Sequence, residues 1–219
     1  MPHPTDITRV IVIRHGFSVN NASRRHTGQS DAPLSALGYE QAKRVADYLV
    51  ANEQIDAIYA SDLSRAVDTV KPTADRLGLD VITDPALRET DVGEWTGMIY
   101  EEATALYPDI YARRKTDPTC RPPGGESNAE VFDRVSAALA RLLKQHAGGC
   151  FVIATHAFPA RIIEAISAGH TVYEIREHRV APNASIRIYT YQNGVLRPEG
   201  DPIVSHLESP RVTLPNDLV

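Results

Sequence analysis

Residues 8–14, TRVIVIR, set four consecutive β-branched apolar residues between polar ends. A short continuous apolar run of this kind predicts a strand buried on both faces. The pattern then lengthens to a helical period over 35–54, where Ala42, Val45, Ala46 and Leu49 fall at i, i+3, i+4 and i+7. DAIYAS (56–61) predicts a second strand, residues from about 63 to 77 a helix, and DVITD (80–84) a third strand. The stretch 91–125 is less regular, interrupted by Pro108, Pro118, Pro122, Pro123 and Gly124-Gly125. The longest helical pattern spans 127–147, opened by Ser127 and Glu130 at capping-box spacing. Through Gly148-Gly149 it leads into CFVIATH (150–156), another apolar strand, and then a helix over 159–168. ASIRIYTYQNGVLRP (184–198) predicts a hairpin turning at Asn193-Gly194. Strands alternating with helices predict an α/β three-layer sandwich, a mostly parallel central sheet with helices on both faces. Residues 1–206 read as a single domain and 207–219 as a peripheral tail, with no internal repeat.

Bulk properties narrow this picture only at its edges. A net charge of −5 disfavours nucleic-acid and anionic-membrane partners, which want a basic face, yet leaves room for a local positive pocket. No apolar run approaches the roughly 18 residues of a membrane span, and the start, MPHPTDITRV, lacks the order of a signal peptide. Cys120 and Cys150 make no disulfide framework and read as reduced structural residues. A cytoplasmic location is therefore expected. The oligomeric state stays open, a homodimer among the possibilities.

The chemistry is expected at the strand ends, because ligands of such sheets bind outside the carboxyl ends of their strands. Arg14-His15 and Thr155-His156 both fall there, so two histidines can meet at one edge. Arg65, Glu89 and Asn21 lie at or just beyond other predicted ends. Arginine forks match phosphate oxygens, a neutral imidazole is a nucleophile, Gly16 lets backbone approach closely, and a carboxyl group can protonate a leaving oxygen. The set fits phosphoryl transfer through a phosphohistidine. Each residue also has a plain reading: Arg14 a boundary residue, His15 a structural histidine, Arg65 a helix-surface ion pair, Glu89 a partner of Arg88, Asn21 a turn residue. His26 and His170 read as surface histidines, His178 as structural, Trp95 as loop packing, and Lys43 and Arg44 as a solvated helix face. Other hydrolytic chemistries lack their residues. A cysteine phosphatase needs arginine six positions after its cysteine, where this chain has Glu126 and His156. No P-loop motif and no cluster with metal-ligand spacing is present in the sequence.

Six ordered segments carry a resemblance: IRHGFSVNN, GQSDAPLSALGYEQA, IYASDLSRAVDT, LRETDVGEWTGM, PPGGESNAEVFDRV and VIATHAFPAR. Together they resemble the histidine phosphatase superfamily, in the branch of cofactor-dependent phosphoglycerate mutases and their phosphatase relatives. The resemblance covers about residues 8–161. It implies His15 as the phosphorylated nucleophile, with Arg14, Arg65 and His156 on the phosphoryl group and Glu89 as general acid and base. It further implies Asn21, Ser18, Gln29 and Ala157 as substrate contacts, no metal or organic cofactor, and a small cap over roughly 91–126. Two positions depart from the family's wording. THAFPAR stands where glycines usually follow the second histidine, and Phe17 where many relatives carry glutamate; both bear on substrate selectivity. The expected function is a phosphatase of small phosphorylated metabolites. A phosphoglycerate mutase is the alternative, to which YARRKTD points, and a non-catalytic phosphate-binding module on the same fold is the third reading. Arg24-Arg25 and Arg113-Arg114-Lys115 read either as solvated charge or as a cluster gripping a second anionic group.

Overall fold

The apolar run at the start of the chain is β1 (Thr8–Arg14), and it lies inside the sheet with a strand on each side. The computed structural model describes residues 7–23 and 25–207; Arg24 and residues 208–219 of the tail lie outside the described residues. After β1 come the single turn α1 (Val19–Ala22), α2 (Ala36–Asn52), β2 (Ala57–Ala60), α3 (Ser64–Leu77) and β3 (Val81–Thr83). A middle stretch with α4 (Tyr100–Leu106) and α5 (Pro108–Arg113) precedes α6 (Asn128–Gln145) and β4 (Cys150–Thr155). The described chain continues through α7 (Ala157–Ser167), β5 (Ile186–Gln192) and β6 (Val195–Pro198).

The six strands run in the order β3-β2-β4-β1-β5-β6. The first four are mutually parallel, and the β5–β6 hairpin closes one edge antiparallel. Successive β1 side chains feed opposite layers. Val10 and Val12 pack with Val131, Leu139 and Ile162 from α6 and α7, whereas Ile11 and Ile13 pack with Val45, Leu49 and Val70 from α2 and α3. Each such fully buried side chain stabilises the fold by about 1.5–3 kcal/mol, which explains why the strand needs an unbroken apolar run. The Ser127–Glu130 capping box forms as its spacing predicts, and the hairpin turns through Asn193 and Gly194, both at positive φ.

Three differences from the sequence reading concern the site. α7 starts at Ala157 rather than 159, because Pro159 falls in the first turn, where its missing N–H costs no intrahelical bond. The irregular stretch holds two short helices, with Pro108 opening α5. Around them Val92, Trp95 and Ala103 form a small separate core, laced to the loop after α1 by His26 N–H to Met98 O (2.9 Å) and Gly97 N–H to His26 O (2.8 Å). Finally, Leu207 is buried against the α2 side of the sheet, so the peripheral reading does not hold at that residue. No helix among the described residues is long and apolar enough to cross a membrane.

Candidate active site

β1 and β4 are parallel neighbours in the register Arg14↔Thr155, and the N–H of His15 donates to Thr155 O at 2.8 Å. The two chains therefore leave the sheet side by side, and the rings of His15 and His156 stand 5.1 Å apart. Nδ1 of His15 lies 2.7 Å from the carbonyl oxygen of Gly16. A carbonyl only accepts, so Nδ1 carries the proton and the lone pair sits on Nε2. Burial, reinforced by the Arg65 and Arg14 guanidinium groups, holds His15 well below the ordinary imidazole range. His156 is fully buried, and neither of its ring nitrogens has a partner. Burial pushes it down as well, with His15 and Arg65 adding to the effect. Two neutral imidazoles thus face each other, one with a free lone pair and one with its hydrogen-bonding capacity unused.

Arg65 enters from the first turn of α3 and is only 1 % exposed. Its two terminal nitrogens donate to Ser30 O (2.7 Å) and Gly28 O (2.9 Å), which fixes the plane of the guanidinium. Arg14 is anchored by Nη1 to Ala181 O at 2.6 Å, leaving a buried Nε without a partner. Burial lowers the pKa of both arginines, and Glu89 opposes the shift in both. Oε1 of Glu89 accepts from the N–H of Thr90 (2.9 Å) and Oε2 from that of Phe158 (3.4 Å). Behind it, Arg134 of α6 donates to the carbonyls of Ala86, Arg88 and Glu89 and pairs with Glu126. The sequence reading missed this clamp; its signal was an arginine set between Val131 and Val135 on an apolar helix face.

The remaining expected residues divide. Asn21 lines the pocket, and its Oδ1 accepts from both the N–H and the Oγ–H of Ser18, each 2.9 Å, which leaves its amide N–H groups for a ligand. Ala157 and Phe158 line it too, as the first residues of α7, where helix N–H groups lack intrahelical acceptors. Ser18 and Gln29, expected as substrate contacts, are placed behind the wall. Ser18 is buried in its capping box with Asn21, and Gln29 donates to Glu89 O at 3.1 Å. Asn183 was not anticipated; it donates to His15 O at 3.0 Å.

The cavity measures about 730 Å³, several times the need of one phosphoryl group. Its far wall is the cap, including His26, Trp95, Tyr100 and Tyr111. His26 is thus not a surface histidine: it is half-buried, meets Tyr111 Oη at 2.5 Å, and is pushed down to about 4 by burial and by Arg114. Trp95 is buried as packing predicts and stacks on Tyr111 at 4.4 Å. The two basic clusters split. Arg25, Arg114 and Lys115 line the cavity, whereas Arg113 points outward to Asp117 at 3.0 Å. Both cysteines are buried and free, and neither lines the cavity. Among the described residues, no three His, Cys, Asp or Glu side chains are grouped to hold a metal ion.

A cavity lined by seven Arg and Lys side chains against the single carboxylate of Glu89, inside an acidic chain, defines a site for a phosphoryl group or similar oxyanion. The sequence pattern of the histidine phosphatase superfamily, branch 1, matches residues 10–199, and the chain belongs to that superfamily. It is 38% identical over 155 residues to phosphoglycerate mutase-like protein 4 of Arabidopsis thaliana, covering 69% of this chain and 67% of that one. It is 34% identical over 173 residues to the metal-independent phosphoserine phosphatase of the same plant, covering 75% and 73%. A solved mycobacterial glucosyl-3-phosphoglycerate phosphatase superposes with a TM-score of 0.79 at 30% identity, covering 87% of this chain and 96% of that chain. Some mycobacterial relatives, 34% identical over 156 residues, are longer, and the matched region spans 43% of their length.

Proposed function

We propose that this protein hydrolyses small phosphomonoesters in two steps through a phosphohistidine on His15. The observation that carries the reading is the neutral His15 ring, tethered through Nδ1 with Nε2 free, in a cationic pocket that holds one carboxylate. Nε2 attacks phosphorus as the P–O bond to the alcohol breaks, and Glu89, entering this step in its carboxylic acid form, gives its proton to the departing oxygen. Glu89, now a carboxylate, takes a proton from water; the hydroxide attacks phosphorus, the P–N bond breaks, and its electrons return to Nε2. Arg14, Arg65, His156, the amide of Asn21 and the Ala157 N–H that opens α7 hold the equatorial oxygens, where charge is greatest in transfer. Ser18 and Gln29 act one step back, Ser18 by orienting the Asn21 amide and Gln29 by fixing the backbone of Glu89. The phosphatase names among the relatives support hydrolysis, and the one called metal-independent supports a metal-free route.

The test is rapid quench of a single turnover at alkaline pH, where phosphoramidates survive, followed by peptide mapping. Phosphate is expected on residue 15, and His15→Ala is expected to be inactive; full activity of that variant overturns the reading. Product analysis with 3-phosphoglycerate then separates hydrolysis, which yields inorganic phosphate, from mutase chemistry, which yields 2-phosphoglycerate.

A further inference from the structure

Further cations line the cavity beyond those that face the phosphoryl group, and they are not equally committed. Arg114 already lies over the Trp95 ring at 5.3 Å and donates to Asn128 Oδ1 at 3.0 Å. Arg161 sits one helical turn beyond Ala157 on α7, half-buried, with its Nε enclosed and without a partner. Arg176 comes from the loop after α7 and reaches across the cavity, where Nη2 donates to Arg114 O at 3.0 Å. That bond uses one of the five N–H groups of its guanidinium. Elsewhere in the fold, buried or half-buried arginines such as Arg88, Arg134 and Arg187 rest on carboxylates. Among the described residues, neither Arg161 nor Arg176 has a carboxylate within 4.0 Å, and the ion pairs that the described residues form lie between other side chains.

Like charges gathered around the single carboxylate of Glu89 destabilise the empty pocket. Burial and the neighbouring Arg176 draw the pKa of Arg161 down, Glu89 only partly opposes them, and Arg161 in turn bears on Arg14. A bound anion removes that repulsion. The phosphoryl site fills only a fraction of the roughly 730 Å³ available, which leaves room for the alcohol part of the substrate to reach these two side chains.

We propose that Arg161 and Arg176 form a second anion subsite, and that the preferred substrate is a phosphomonoester with a further negative charge on its alcohol portion. This rests on the phosphoryl-site reading above. Arg161 supplies the enclosed donor and Arg176 the donor that closes over the ligand from the loop. A carboxylate or a second phosphate meets the same requirement, a planar or tetrahedral set of acceptors facing two guanidinium forks.

The test uses non-hydrolysable ligands, so that binding is read apart from turnover. Titration calorimetry compares alkylphosphonates with ω-carboxyalkylphosphonates and α,ω-bisphosphonates of matched chain length. At its best length the second anion is expected to tighten binding about 10- to 150-fold, the equivalent of one charge-assisted contact. In Arg161→Gln and in Arg176→Gln that margin is expected to collapse while alkylphosphonate affinity stays near wild type. Arg176 is exposed, so its variant keeps the test valid even where Arg161→Gln folds poorly. The larger margin, carboxylate or phosphonate, identifies the distal group. No margin at any length, or a margin that survives both substitutions, overturns the subsite. Alkylphosphonate binding that ignores Arg65→Ala instead overturns the phosphoryl-site reading, and the subsite with it.

Discussion

Replacing His156 by asparagine is expected to change the pH dependence of stability in a way set by its burial. In the folded chain His156 and His15 are both held well below the ordinary imidazole value, by burial first and by neighbouring positive charge second. In the unfolded chain each titrates near 6.5. Below that pH the unfolded state binds protons that the folded state refuses, so stability falls as pH falls and is regained as pH rises toward 7.5. For one such histidine the loss between pH 7.5 and 5.5 integrates to about 1 kcal/mol, and for the pair to roughly twice that. His26, His146 and His206 are also lowered by burial, but they contribute equally to wild type and variant and cancel in the difference. Urea unfolding at pH 7.5, 6.5 and 5.5, in buffers free of phosphate and sulfate, supplies the measurement. His156→Asn lowers stability at every pH, because a buried ring is lost, yet the readout is the slope. Wild type is expected to lose about 1 kcal/mol more than the variant over that interval. Parallel curves would show that His156 takes up its proton in the folded state and would refute the neutral, ligand-ready imidazole.

The roles proposed for Glu89 and Arg65 separate by leaving group. Glu89→Gln is expected to lose about 10²–10⁴-fold on an alkyl phosphate and far less on an aryl phosphate that departs without a proton, whereas Arg65→Ala lowers kcat/KM on both; equal losses for Glu89→Gln on the two substrates reduce it to a structural role. Because the guanidinium groups carry the charge neutralisation, turnover is expected to survive excess EDTA, and restoration of a lost activity by added Mg²⁺ would contradict that assignment. Gly38→Ala tests the support beneath the nucleophile loop: a Cβ there meets Phe17 O at 2.3 Å and Leu34 Cβ at 3.1 Å. The clash costs about 1–3 kcal/mol against a helix-propensity gain of about 1 kcal/mol, so calorimetry is expected to show net destabilisation together with a fall in kcat/KM, and a stabilised, fully active variant is the contrary result.

Much of this protein is written locally. Four β-branched residues ending in Arg14-His15, and CFVIAT ending in His156, need only the geometry of parallel strands to bring two histidines to one edge. The capping box at Ser127 and the Asn193-Gly194 turn are likewise properties of short segments, and both form as read. What sequence order did not decide is which charges meet. Arg113 and Arg114 are adjacent, but neighbours on a helix point about 100° apart, so one faces Asp117 in solvent and the other the cavity. His26 looked like a surface residue because nothing near it in sequence is apolar enough to bury it; α4 and α5, distant in the chain, do so. Arg161 closes the VIATHAFPAR segment without a role that its pattern assigns, and Arg176 carries no motif. Their meeting over the pocket depends on α7 starting at Ala157 and on the loop after it reaching the cap, contacts between separated segments that no local pattern encodes.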